Sequence, residues 1–290
     1  MTSGPSPGDN GGSGSSRTII VCMLHEQTTA VRGRRVRYLE SGLGRPIVLL
    51  HAFPMSADMW RPQLDRVPDG WRFVAPDLRG FGPLAFAPTA PPTLEQMAAD
   101  VTALMDELGI DRAAVGGLSM GGYLSMALVR VAPERVTALV LANTRAQPDT
   151  PEGRQGRDTM IGLVRRSGPS AIADQMIPKL LGETSQRARP HLPPMLRRMI
   201  EINSPEGIAG ALQAMKERPD SSPALSRFGA PALVIAGEED TLIPVGDSEA
   251  MHGLMSRSHL VLLPTAGHVS NLEVPDDFSE ALGNFLQSNI

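Results

Sequence analysis

The stretch Val115-Gly116-Gly117-Leu118-Ser119-Met120-Gly121-Gly122 decides how the rest of the chain is read. It holds G-x-S-x-G at 117–121, entered from an apolar run and left through a helical pattern. Glycines two residues either side of the serine remove Cβ atoms that would clash in a sharp strand-to-helix turn. Such a turn exposes Ser119 Oγ and points the positive end of the next helix at it. The plain alternative is a glycine-rich turn with an incidental capping serine. The flanking strand and helix signals, with the extra Gly116 and Gly122, weigh against it.

Outward from this turn the chain alternates. Pro46–His51, Arg72–Ala75, Ala113–Gly116, Val136–Ala142, Ala232–Ala236 and His259–Leu263 read as strands, several of them continuously apolar. Continuous runs suit parallel strands buried on both faces. Thr28–Val31 and Val36–Leu39, joined across Gly33, read as a hairpin. Leu94–Leu108 carries apolar residues at 94, 97, 98, 101, 104, 105 and 108, with Thr93 as N-cap and Gly109 as stop. Gly121–Val131 and Asp276–Gln287 are helical too. Strands alternating with helices predict an α/β fold with a mostly parallel sheet.

One region breaks the alternation. Residues 145–225 show helical patterns at Met160–Arg165, Ala171–Leu181, Leu196–Ile202 and Ile208–Met215 but no strand signal, which predicts an all-helical insertion. It carries twelve Lys/Arg against nine Asp/Glu, leaving 15 basic and 22 acidic residues elsewhere. That +3 is weak evidence for an anionic substrate, since most such charges form a solvated helix face. Its methionines, Met160, Met176, Met195, Met199 and Met215, are read as core packing. Residues 1–16, almost wholly Gly, Ser, Pro and polar, read as a disordered tail.

The 290 residues, 41% of them apolar, are ample for a buried core. With 27 basic and 31 acidic residues the net charge is −4, so no nucleic-acid partner is expected. A single cysteine, Cys22, leaves no intramolecular disulfide and no cysteine zinc site. No apolar run approaches the ~18 residues of a membrane span, and Ile19–Leu24 is too short for a secretory signal. A soluble, cytoplasmic protein is the expectation.

A serine hydroxyl needs a base. His268, in Pro264-Thr-Ala-Gly-His-Val-Ser270, lies on a Gly-preceded loop after the last strand signal. His25 precedes the core strands, His191 lies in a Pro-flanked loop, His252 falls on a helix and His259 begins a strand. The carboxylate orienting His268 would come from Gly237-Glu-Glu-Asp-Thr-Leu-Ile-Pro244, where Glu238, Glu239 and Asp240 compete. The order Ser, acid, His is that of the α/β-hydrolases and not of trypsin or subtilisin.

From about Thr28 to Phe285 the chain resembles the α/β-hydrolase superfamily. The family's G-x-x-D-x-x-x-P turn matches Gly237, Asp240 and Pro244, and so selects Asp240. Its small-Gly-His pattern matches Ala266-Gly267-His268. Two more signatures match, His51-Ala-Phe-Pro54 and Asp77-Leu-Arg-Gly-Phe-Gly82. The resemblance implies catalytic Ser119, Asp240 and His268, with the amides of Phe53 and Met120 as oxyanion donors. Ala52 stands where the family usually has glycine. His51 is expected to be structural, and Asp77 to brace a strand end. The implied organisation is a core of 17–144 and 226–290 interrupted by a helical cap at 145–225. No metal or organic cofactor is implied.

The Gly-Leu-Ser-Met-Gly-Gly run, with Glu134-Arg-Val136 after the helix, is most similar to 3-oxoadipate enol-lactonases and small carboxylesterases. A serine hydrolase acting on a small-molecule ester or lactone is therefore expected, with the balance leaning towards a general esterase. Cofactor-free haloperoxidases or perhydrolases and carbon–carbon hydrolases share the triad, the last commonly with Asn where this chain has Leu118. A non-catalytic ligand-binding module is the alternative of a different class, and the complete triad counts against it.

Overall fold

The computed structural model describes Met1, 23–85 and 90–290. The stretch read as a tail, 1–16, lies outside the described residues apart from Met1, as does most of Ile19–Leu24. Eight strands form one sheet: β1 (His25–Val31), β2 (Arg34–Gly42), β3 (Arg45–Leu50), β4 (Trp71–Pro76), β5 (Ala113–Leu118), β6 (Val136–Ala142), β7 (Ala232–Gly237) and β8 (Ser258–Leu263). Their spatial order is β1-β2-β4-β3-β5-β6-β7-β8, antiparallel at β1–β2 and β2–β4 and parallel from there on. Burial follows position: every residue of β5 and β7 is buried, whereas the edge strands β1 and β8 are largely solvated. The β1–β2 hairpin turns through Arg32 and Gly33, with φ of 48° and 77°, a pair suited to a two-residue hairpin.

The helices are α1 (Arg61–Leu64), α2 (Leu94–Glu107), α3 (Met120–Val131), α4 (Pro151–Leu180), α5 (Glu183–Ala188), α6 (Leu192–Glu201), α7 (Pro205–Lys216), α8 (Ser222–Ser226), α9 (Val245–Leu254), α10 (Ser270–Glu273) and α11 (Pro275–Asn289). Thr93 caps α2 through a reciprocal box with Gln96, satisfying two end donors at once. Gly109, at φ 67°, terminates it. Buried Trp60, Trp71, Phe73 and Phe278 anchor the core beside the sheet.

Between β6 and β7 the chain runs through α4–α8 with no strand. The long α4 is two helices in sequence: Gly168 sits at φ 74°, ψ −178°, followed by Pro169. Proline lacks the N–H that would continue the ladder, so the axis breaks there. Helix α4 packs against α6 and α7. No helix among the described residues is long and apolar enough to cross a membrane.

Candidate active site

The C-terminal ends of β5, β6, β7 and β8 bring the singled-out residues together. Ser119 follows β5 with φ 56° and ψ −112°, a left-handed φ that a non-glycine residue adopts only when its surroundings enforce it. Its N–H donates to Ala142 O at 2.9 Å and its carbonyl accepts from Thr144 Oγ1 at 2.9 Å. The flanking glycines are required by contact: a Cβ on Gly117 would lie 2.0 Å from Gly121 C, and one on Gly121 2.0 Å from Leu50 O. Helix α3 starts at Met120, so its N-terminus faces the same place.

Asp240 and His268 are joined. His268 Nδ1 lies 2.8 Å from Asp240 Oδ2, both residues buried. Oδ1 of Asp240 accepts the amides of Leu242 and Ile243 at 2.8 and 3.0 Å. Burial opposes the charge of Asp240, but the His268 imidazole, the Asn143 amide and the Ile243 N–H hold its carboxyl below the usual range. The competing acids face elsewhere. Glu238 is exposed, and Glu239 accepts from Thr184 N at 2.8 Å and Thr184 Oγ1 at 2.5 Å.

Ser119, Phe53 and His268 line one cavity of about 530 Å³. Among the described residues no hydrogen bond joins Ser119 Oγ to His268, and His268 Nε2 has no protein partner. Catalytic hydrogen bonds are often open before substrate arrives. The amides of Phe53 and Met120 also have no protein acceptor among the described residues. Among the described residues the left-handed non-glycine positions are Arg32, Ser119, Asn143 and Thr265, so Ala52 carries no such strain in the loop before Phe53.

His51 lies deeper. Its Nε2 accepts from Leu78 N at 3.0 Å, and its Nδ1 donates to Ala52 O at 2.9 Å. Burial pushes its pKa down to about 4, so it is neutral. Asp77 Oδ1 takes the Ala57 N–H at 2.8 Å and Oδ2 meets Arg37 at 3.1 Å. Burial lifts the Asp77 carboxyl to about 6 against the pull of the Ala57 amide and Arg37. The remaining histidines sit apart: His25 in β1, His191 at the start of α6, His252 bonded to Ser258, and His259 in β8.

Two residues at the site escaped the sequence reading. Asn143, at φ 45°, donates to Asp240 Oδ2 at 2.9 Å and Gly267 O at 3.1 Å, and accepts from Ser270 Oγ at 2.6 Å. An asparagine ending a buried strand was the available signal, because Asn tolerates the left-handed region. Glu273 is fully buried, and burial pushes its carboxyl up despite hydrogen bonds from Ser185 and three backbone amides.

The far wall of the cavity belongs to the helical segment. Met160, Met176 and Met215 line it, correcting their reading as core packing alone; Met199 is buried away from the cavity. Three cations line it as well. Arg157 pairs with Asp149 at 2.6 Å, and Asp149 also holds the buried Arg218 at 2.6 Å. Arg145 donates to Leu242 O at 2.9 Å and lies 3.6 Å from Asp247. Lys179 has no ion-pair partner among the described residues, and no carboxylate lines the cavity. Among the described residues no group of three or more His, Cys, Asp or Glu is arranged to hold a metal ion.

Known proteins share this plan. A family model described as alpha/beta hydrolase fold matches residues 45–275. The 3-oxoadipate enol-lactonase 2 of Acinetobacter baylyi is 30% identical over 236 residues, 81% of this chain and 86% of its own. A malate-bound thermophilic esterase from Thermogutta terrifontis superposes with a TM-score of 0.86 at 36% identity, covering 91% of this chain and 98% of its own. The enol-lactonase from Burkholderia xenovorans LB400 gives 0.83 at 30% identity, covering 90% of this chain and 100% of its own. The chain belongs to the α/β-hydrolase family, and an esterase and enol-lactonases are among its relatives.

Proposed function

We propose that the protein is a serine hydrolase that cleaves a carboxylic ester or lactone through an acyl-enzyme. Ser119 Oγ attacks the carbonyl carbon while His268 Nε2 takes its proton. The carbonyl electrons move to an oxyanion held by the Phe53 and Met120 amides. Collapse expels the alkoxide, which takes the proton from His268. In a lactone the leaving hydroxyl stays tethered to the acyl group. Water, deprotonated by the same imidazole, then attacks the acyl carbon and frees Ser119. Asp240 keeps the His268 proton on Nδ1 and stabilises the imidazolium.

The observation that carries this is that His268, paired with Asp240 at 2.8 Å, lines the same cavity as Ser119. The test is a panel of p-nitrophenyl esters and small lactones, assayed with and without a serine-directed phosphonate. Turnover that the phosphonate abolishes supports the proposal; turnover indifferent to it contradicts it.

The lining favours a narrower reading, that the substrate carries a carboxylate. The sequence leans towards a general esterase of neutral substrates, because twelve basic against nine acidic residues is what an ordinary surface could carry. Arg157 and Arg145 do have acidic neighbours, but Asp149 is shared between two guanidinium groups, and Lys179 has none among the described residues. One carboxylate between two guanidinium groups leaves net positive charge at the wall, and Lys179 adds to it. An acidic lactone is expected to be preferred over a neutral one of equal size, with kcat/KM falling as salt rises. Equal turnover of the two, insensitive to salt, would favour the general esterase.

A further inference from the structure

Asp240 is not the only carboxylate that the His268 loop depends on. Glu273, on α10, spends both oxygens on backbone donors. Its Oε1 accepts from Gly267 N at 2.9 Å and Val269 N at 3.2 Å, the residues on either side of His268. Its Oε2 accepts from Gly182 N at 2.8 Å, just beyond the end of α4.

The two segments it joins are already in close contact. Leu180 O accepts from both His268 N at 3.1 Å and Val269 N at 3.2 Å. A Cβ on Gly182 would lie 2.8 Å from Gly267 N, and one on Gly267 only 2.2 Å from Gly182 N. The helix that ends here is the one whose residues Met176 and Lys179 line the cavity.

Glu273 itself does not line the cavity. A buried carboxylate carries a desolvation penalty that an apolar side chain of similar size would avoid. Here that carboxylate takes the Gly267 and Gly182 N–H groups, which have no other acceptor among the described residues, and shares the Val269 N–H with Leu180 O; Gly267 and Val269 belong to the loop that aims the imidazole.

We propose that Glu273 is a positioning residue: its carboxylate fixes the backbone on both sides of His268 and ties that loop to Gly182. The imidazole's aim and the seating of the cavity's helical wall are thereby set together. The proposal rests on Ser119 and His268 acting as nucleophile and base. A misplacement of about 1 Å in a reacting group costs on the order of 100-fold in rate, so a loosened loop is read in kcat.

The test compares the full chain with Glu273→Gln, which places an NH2 donor against one of the backbone donors. Thermal melting identifies a temperature at which both are folded. There, kcat and KM on p-nitrophenyl butyrate and the rate of Ser119 labelling by a fluorophosphonate are measured. The expected result is a roughly 10- to 100-fold fall in kcat with KM within about threefold, and a parallel fall in labelling rate. Glu273→Asp, which keeps the charge but shortens the reach, is expected to lose less. A folded Glu273→Gln that melts earlier yet turns over and labels at wild-type rates overturns the proposal. If Glu273→Gln does not fold, Glu273→Asp carries the test, and wild-type kcat and labelling in that variant overturn it. Failure of the fluorophosphonate to label Ser119 in the wild type overturns the serine mechanism itself, and this proposal with it.

Discussion

Two buried His–Asp combinations flank Ser119, and they differ in what their polar atoms face. On one side His268 gives Nδ1 to Asp240 and leaves Nε2, at the cavity, without a protein partner among the described residues. On the other, His51 uses both ring nitrogens on backbone groups, and Asp77 is taken up by Ala57 N and Arg37. Residue types and burial are alike. What separates the flank proposed for chemistry from the bracing one is a lone pair left unused beside a cavity. The first pair is therefore expected to govern turnover, and the second stability.

The largest effect is expected from Ser119→Ala, which removes one oxygen from a turn held by backbone contacts. Ester turnover is expected to fall by roughly 10⁴- to 10⁶-fold with melting temperature nearly unchanged. A variant with wild-type kcat would dissolve the distinction between the two flanks. Asp240→Asn comes next. It keeps the size but favours the wrong imidazole tautomer, with an expected loss on the order of 10⁴-fold in kcat, the size of the same change in a serine protease. Glu238→Gln and Glu239→Gln are expected to leave kcat within a few-fold, although Glu239→Gln weakens the hold on Thr184. Greater damage from either glutamine variant would move the acid's role away from Asp240.

How far each flank could be read from sequence follows from the range of its interactions. Ser119 and His268 announce themselves because a strand-to-helix turn and a strand-end loop are encoded by immediate neighbours, Gly117 and Gly121 for one and Gly267 for the other. Asp240 was one of three adjacent acids, and only the family turn with Pro244 separated them. Their directions differ because Glu239 reaches Thr184, 55 residues away in sequence, and no local pattern states that. Asn143 escaped for the same reason, its partner Asp240 lying 97 residues away; Glu273 has two donors within 6 residues, but its tie to Gly182 spans 91. The strands were plain in the apolar runs. The helical wall was visible only as helices, since which methionines and cations face the cavity depends on the break at Gly168 and on packing between helices.

The wall supplies a sharper test of substrate choice. Lys179→Gln is expected to lower kcat/KM for an acidic lactone by roughly 3- to 10-fold at low salt, with a neutral lactone unaffected. Equal losses on both would assign Lys179 to packing.

The smallest effect concerns the bracing flank and is read in stability. His51 has its pKa lowered to about 4, so as pH falls below 6.5 the unfolded chain takes up a proton first. The stability it contributes is complete above 6.5 and is lost as pH falls towards 4. Asp77, raised to about 6, has the opposite sign: its contribution is complete below 3.8 and lost as pH rises through 6. Between pH 4 and 6 the two slopes oppose each other. The stability difference between wild type and His51→Gln is therefore expected to shrink by about 3 kcal/mol from pH 6.5 to 4, with kcat at pH 7 within a few-fold. A difference that does not change with pH would mean that His51 is not held neutral.

In the proposed reaction an acyl group passes through Ser119. Its most direct test is to quench the enzyme within one turnover of a p-nitrophenyl ester and locate the acyl mass by peptide mass spectrometry. The adduct is expected on the peptide containing Ser119, and is expected to be absent in Ser119→Ala. An acyl adduct on another residue, or an undiminished one in Ser119→Ala, would contradict it.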